Sequence, residues 1–379
     1  MRIGSRLRGL AFAAGIGVLA AAAQAGPEQI SLATVKGTIA AREKIVSPQG
    51  IQQQLYVPID GIKQWISIRG NDVRNPILLV LHGGPGSPET PAAWTFQQPW
   101  EDYFTVVEWS QRGTDKTYEA NTPAQMAPGM SVAGMTDDAA ALVSYLRQRF
   151  HRQKIFLMGH SWGTVLGVTL AQRHPDWLYA YIGVGQVVNT RRGEQVGYDY
   201  ALHEAEAQHN AAAIRELKAL APYPGNSLTL DKIGVRSKWE MYYGGLAYGR
   251  RDFQWDAATW ALSPEYTDRD LNAIGNGSLY SLKYLLGSLL SVNFDHVTDF
   301  GCPMIQFVGA HDYTTPSSVV IDWFKTLHAP SKRLVVFADS GHMMFEEQPG
   351  RFLMHLVNDA LPYAVAAGDG APAERETVN

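Results

Sequence analysis

Residues 155–173 read IFLMGHSWGTVLGVTLAQR, and the periodicity of the chain changes inside them. Ile155 to Met158 is a short continuous apolar run, as expected of a strand buried on both faces. From about Thr164 to Arg173 the spacing is helical. Between the two lies Gly159-His160-Ser161-Trp162-Gly163, a G-x-S-x-G pattern set between strand and helix, where it has mechanical meaning. Small residues on either side of the serine let the strand and helix pass closely, and the turn lifts the hydroxyl above the carboxyl end of the sheet. The free N–H groups at the start of the following helix suit a developing negative charge.

A serine hydroxyl is a weak nucleophile without a base. In a strand–turn–helix setting of this kind the acid and the histidine follow the serine in chain order. Asp312 stands just past an apolar strand, Met304 to Val308, and His342 just past another, Leu334 to Phe337. Both therefore fall at carboxyl ends of strands. His342 is expected to take the Ser161 proton and Asp312 to fix the imidazole. Asp339 lies too close to the histidine, in its own loop, and reads as a solvated turn residue. His311 reads as a packing residue, and His160 as one that shapes the turn.

Upstream, the apolar run Ile77 to Leu81 ends in His82-Gly83-Gly84-Pro85-Gly86. A glycine-rich loop after an early strand can bring backbone N–H groups to an oxyanion. Gly84 is the expected donor, with Gly83 as the alternative, and Trp162 supplies the second. The loop lacks the Lys-Ser/Thr ending of a phosphate-binding P-loop.

The rest of the chain supplies a framework. Leu55 to Gly70 reads as a hairpin about Asp60-Gly61. Phe104 to Trp109 and Tyr181 to Val184 read as strands. Thr136 to Phe150 reads as a helix with Asp137 and Asp138 in its first turn, and Gln348 to Leu361 as a closing helix. Strands alternating with helices predict an α/β fold with a mainly parallel sheet. Residues 26–53 read as a polar lead-in. Residues 188–297 break the rhythm, being helical in spacing and rich in aromatics such as Trp239, Tyr243 and Trp260. The expected organisation is a core of residues 26–187 and 298–365, a helical cap of 188–297 and a disordered tail of 366–379.

Residues 1–25 read as a secretory signal peptide, with Arg2, Arg6 and Arg8, an apolar run from Leu10 to Ala23, and Ala23-Gln24-Ala25 before Gly26. Export to the periplasm or beyond is the expectation. No later stretch is long and apolar enough to predict stable membrane insertion. The formal net charge of −4 leaves no basic excess for nucleic acid phosphates. A single cysteine, Cys302, excludes an intramolecular disulfide and a cysteine-rich zinc site. Histidines show no paired metal-ligand spacing, and no metal or other cofactor is expected. The expected partner is a small-molecule or short-peptide substrate; the oligomeric state is not encoded in any motif.

As a set, His82–Gly86, the segment Gln111-Arg112-Gly113-Thr114, Gly159–Gly163 and a late Asp and His resemble the prolyl aminopeptidase (proline iminopeptidase) family of α/β-hydrolases. The likeness spans roughly Gln64 to Val184 and Met304 to Leu361. It implies an α/β-hydrolase fold with an inserted helical cap and metal-free serine catalysis that releases N-terminal proline. The sequence departs from the family where Ser110 and Asp115 flank the Gln111 segment, and where His160 replaces a glycine. In the family, cap glutamates bind the substrate amine, one of them in a Trp-x-x-Trp-Glu-Gly segment. The corresponding stretch is Trp239-Glu240-Met241-Tyr242-Tyr243-Gly244, with Tyr243 where that glutamate would fall. Glu240 and Glu204 are the substitutes nearby. The expectation is an exported serine hydrolase with an acyl-enzyme, first as a proline iminopeptidase-like aminopeptidase. An esterase, lactonase or amidase for small apolar substrates is the alternative. A non-catalytic binding protein on the same fold is the third reading.

Overall fold

The computed structural model describes residues 30–369. The expected signal peptide and the tail beyond Asp369 lie outside the described residues.

Eight strands form one sheet: β1 (Ile51–Ile59), β2 (Ile62–Gly70), β3 (Ile77–Leu81), β4 (Thr105–Trp109), β5 (Ile155–His160), β6 (Leu178–Val184), β7 (Met304–Gly309) and β8 (Lys332–Phe337). Their order is β1-β2-β4-β3-β5-β6-β7-β8. β1–β2 and β2–β4 pair antiparallel, and every other pair is parallel. All five side chains of β3 are buried, because helices cover both faces. Alternation sorts them: Leu79 and Leu81 join one core layer, Leu78 and Val80 the other. The first layer packs under the helices Val132–Arg149, Gly163–Arg173 and Ser317–Thr326. The second holds Phe156, Phe307 and Phe352, with Trp100 stacked on Phe352 at 5.2 Å.

Several boundaries differ from the sequence reading. The polar lead-in contains a helix, Leu32–Arg42, none of whose residues is buried. The next long helix starts at Val132, capped by Ser131, which accepts from the Gly134 N–H. Asp137 and Asp138 therefore sit in its second turn. Asp138 is the buried counter-ion of Arg112, at 2.7 and 2.9 Å, and does not serve the helix dipole. The closing segment is a helix Pro349–His355, a π-helical stretch Leu356–Ala360 and a helix Leu361–Ala366.

Five helices lie between β6 and β7: Thr190–Ala207, Ala211–Lys218, Leu230–Tyr242, Gln254–Leu262 and Asp268–Leu290. Asn189, Asn210, Thr229 and Thr267 cap four of them by accepting backbone N–H groups. The layer has its own small core of Tyr198, Ala201, Leu217 and Trp239. It is tied to the sheet through Asp115, which takes φ +50° and is fully buried. Its Oδ2 accepts from Ser110 Oγ (2.6 Å) and Tyr266 Oη (2.7 Å). Thus Ser110 and Asp115, the two departures in that segment, are a matched pair. Aspartate tolerates the left-handed backbone, and it anchors the cap.

Candidate active site

Ser161 follows the last residue of β5 with φ +50°, a conformation that a non-glycine residue holds only where its surroundings impose it. The Ser161 N–H donates to the Val184 carbonyl at 3.0 Å. A Cβ on Gly163 would lie 1.9 Å from the Leu81 carbonyl oxygen, so the helix can start against β3 only because that side chain is missing.

The loops after β7 and β8 bring Asp312 and His342 together. His342 Nδ1 lies 2.8 Å from Asp312 Oδ2, and both residues are buried. Asp312 Oδ1 accepts the Thr314 and Thr315 N–H groups, each at 2.9 Å, while Thr315 Oγ1 donates to Oδ2 at 2.9 Å. The carboxylate is thus held by three donors besides the imidazole. Burial works against charge on His342, but the charge and hydrogen bond of Asp312 outweigh it, and the imidazole pKa stands above its ordinary value of 6.5. The cap takes part: the Leu246 carbonyl accepts the His342 N–H (2.7 Å), and the Gly245 carbonyl accepts the Tyr313 N–H (2.9 Å).

The two candidate oxyanion donors of the early loop separate. The Gly83 N–H donates to Glu89 Oε1 at 3.2 Å and is already committed. The Gly84 and Trp162 N–H groups have no protein acceptor among the described residues. Gln111 braces this corner: its amide donates to the His82 carbonyl (3.0 Å) and its Oε1 accepts from the Trp162 indole (3.2 Å).

Two cavities meet at Ser161, Gly84 and Thr314. The larger, about 300 Å³, is lined by Leu282, Leu286, Leu289 and Leu290 on one helix face, by Ile233 and Val319, and by Trp162 at the serine end. Glu194 and Arg236 form its polar wall. Arg236 is buried between two carboxylates: Nη2 pairs with Glu194 at 2.5 Å and Nη1 with Glu240. The smaller chamber, about 180 Å³, is lined by His342, His160, Glu89, Asp256, Trp260 and Glu346, among others.

The four cap positions singled out in the sequence are not gathered at Ser161. Glu204 is half-buried and accepts from Gln208, four residues on. Trp239 packs in the cap core and donates its indole N–H to Glu216. Tyr243 stacks on Trp239 at 6.3 Å. None of these three lines either cavity. Glu240 comes nearest, accepting from Thr314 Oγ1 at 2.5 Å, but its other oxygen is taken by Arg236. Conversely, Glu89, Asp256, Glu346 and Thr315 line the two cavities. They carry no motif, and only the fold brings these scattered positions to one place. His160 does more than shape the turn. Its Nδ1 faces Glu89 Oε1 at 2.5 Å and its Nε2 faces the His342 carbonyl at 3.3 Å. His311 is a packing residue, stacked on Tyr248 at 3.8 Å.

A mainly parallel sheet with a serine on the turn after β5 and a histidine after β8 defines a hydrolase architecture. Residues 76–349 match the model of the alpha/beta hydrolase fold family, and the chain belongs to that family. It is 31% identical over 295 residues to the "Probable aminopeptidase YbaC" of Bacillus subtilis, covering 78% of this chain and 92% of that protein. With the "Proline iminopeptidase" of Neisseria gonorrhoeae it shares 24% identity over 320 residues, 77% of this chain and 91% of the relative. The crystal structure of proline iminopeptidase from Mycobacterium smegmatis superposes with a TM-score of 0.57 at 19% identity, covering 83% of this chain and all of that one, and shares the fold.

Proposed function

We propose that the protein is a serine hydrolase of the aminopeptidase type, which cleaves short peptides or amides bearing a free N-terminal amine through an acyl-enzyme on Ser161. The observation that carries the chemistry is the buried Asp312–His342 couple in the chamber that Ser161 also lines, with the Gly84 and Trp162 N–H groups free. His342 takes the Ser161 proton as the hydroxyl attacks the scissile carbonyl. The oxyanion is received by Gly84 and Trp162. His342 then passes its proton to the departing amine, and water repeats the sequence to release the acid.

The acyl half belongs in the larger cavity, which Trp162 lines and His342 does not. Its Leu282–Leu286–Leu289–Leu290 face suits an apolar N-terminal side chain, proline included. Glu194 and Glu240 share the one guanidinium of Arg236, so an ammonium group beside Glu194 would share its oxygens with Arg236 and Tyr223. Glu194 is the carboxylate that reaches this cavity. The aminopeptidase reading also agrees with what the relatives are called.

The test is a matched pair, a prolyl or leucyl amide with a free amine and the same compound N-acetylated. The expected result is a kcat/KM at least about tenfold higher for the free amine, as for a site with buried polar groups that demand a partner. Equal rates would remove the amine site, and activity on simple esters alone would favour the esterase reading.

A further inference from the structure

The smaller chamber holds more carboxyl groups than the proposed chemistry uses. Three carboxyl groups line it: Glu89, Asp256 and Glu346. Glu89 has His160 as its partner. Among the described residues the other two have no ion-pair partner, and one oxygen on each of the three (Glu89 Oε2, Asp256 Oδ1, Glu346 Oε2) has no hydrogen-bond partner although it is buried. Asp256 is only 2% exposed. A buried polar atom without a partner is costly unless something arrives to meet it. Burial, reinforced by the Glu89 charge, pushes the Asp256 carboxyl up to about 7. Burial and the charges of Asp256 and Glu89 push Glu346 up to about 9. Both are therefore held toward the neutral acid, and an arriving cation would favour their ionised forms. Arg250, the cation whose field reaches both, is held over the Trp255 ring at 4.0 Å.

The position of the chamber says which half of a substrate enters it. The group that protonates the departing amine must lie within hydrogen-bond reach of it. His342 lines this chamber and not the larger cavity. The leaving half therefore lies against Glu89, Asp256 and Glu346. Phe253 and Trp260 complete the wall, giving apolar surface for a methylene stem and ring faces for a cation. Among the described residues no group of three or more His, Cys, Asp or Glu side chains could hold a metal ion. The carboxyls thus suit an organic cation with a body, not a bare divalent ion.

We infer that this acidic chamber is a subsite for a cationic group on the leaving half of the substrate, a primary ammonium on a flexible apolar stem, as in a lysine following the scissile bond. This rests on Ser161 being the nucleophile and His342 the proton donor to the leaving group. Substrates of this class carry their apolar N-terminal side chain on one side of the scissile carbonyl and a cation on the other.

The test uses the full mature chain and three dipeptides, Leu-Lys, Leu-norleucine and Leu-Glu. Norleucine keeps the stem and removes the charge. The expected order of kcat/KM is Lys above norleucine above Glu, with about tenfold or more between the first two, as for a buried polar site left unpaired by the wrong ligand. Asp256→Asn with Glu346→Gln brings the Lys-to-norleucine ratio close to one; being a ratio within one protein, it is insensitive to any loss of folded material. A second arm needs neither turnover nor a variant: n-pentylamine should protect Ser161 from fluorophosphonate labelling at concentrations where 1-pentanol does not. Norleucine equal to lysine, or equal protection by amine and alcohol, overturns the inference. N-acetyl-Leu-Lys cleaved as fast as Leu-Lys would overturn the aminopeptidase reading instead and leave the Lys-to-norleucine ratio readable. Failure of Ser161 to label at all would remove the proposed nucleophile and this inference with it.

Discussion

At Ser161 the backbone is held at φ +50° while its N–H is tied to Val184, so the turn fixes the backbone from which the hydroxyl projects. The proposed base is fixed as firmly, since Asp312 receives three donors besides His342. Two expectations belong here. His342 must be neutral to accept a proton, and its pKa stands above 6.5. So kcat/KM should fall as pH drops through a midpoint above 6.5, with the plateau on the alkaline side; a profile flat across that interval contradicts the role. Asp312→Asn should lower kcat by about 10⁴, because an amide favours the wrong imidazole tautomer, with little change in KM. Chain order and strand ends made the Ser161 turn and the meeting of Asp312 with His342 legible in the sequence. The Glu89–His160 contact was not, because its members stand 71 positions apart and neither sits in a pattern that requires the other. The placement of Glu204 and Tyr243, two of the substrate-binding candidates, was not legible for a related reason. Position along the cap helices does not say which face a residue presents, and neither residue lines a cavity at Ser161.

At the scale of elements, close approach and buried charge decide what the fold tolerates. The strand-to-helix turn depends on the missing side chain at Gly163, and a Cβ there meets the Leu81 carbonyl backbone, which cannot move aside. Gly163→Ala should therefore destabilise strongly or abolish soluble expression, measured by denaturant unfolding against Gly37→Ala, where nothing lies within 4 Å. Arg112 is 1% exposed and paired with Asp138 and Asp60. Arg112→Leu leaves the Asp138 carboxylate buried without its counter-ion and should cost about 3–5 kcal/mol in unfolding free energy. β3 and β5 were legible as runs of buried apolar residues. The start of the Val132–Arg149 helix was not, because Gly134 in its first turn interrupts the apolar spacing and the Ser131 cap carries the signal alone. The Leu32–Arg42 helix buries no residue, so it has no apolar stripe to read.

Across the whole molecule, the cap and the two late loops form one mechanical unit. Backbone carbonyls of Gly245 and Leu246 hold Tyr313 and His342, Tyr266 reaches Asp115, and Glu194 with Arg236 walls the larger cavity. The cap therefore shapes the site as well as covering it. The five-helix layer was foreseeable as a break in strand–helix alternation, whereas its attachment points were not, since they are backbone carbonyls and side chains far apart in the chain, such as Thr314 with Glu240 and Arg269 with Glu119. Two outcomes are expected at this scale. If residues 1–25 serve as a leader, exported protein begins at Gly26, checked by N-terminal sequencing of protein recovered outside the cytoplasm. The single buried cysteine, Cys302, predicts a melting temperature unchanged by reducing agent. The most direct measurement is the intact mass of the purified protein after exposure to a fluorophosphonate, with the adduct mapped by peptide sequencing. One adduct per chain on Ser161, absent from Ser161→Ala and slowed in Asp312→Asn, is the predicted result. An unmodified chain, or an adduct on any other residue, would contradict Ser161 as the nucleophile.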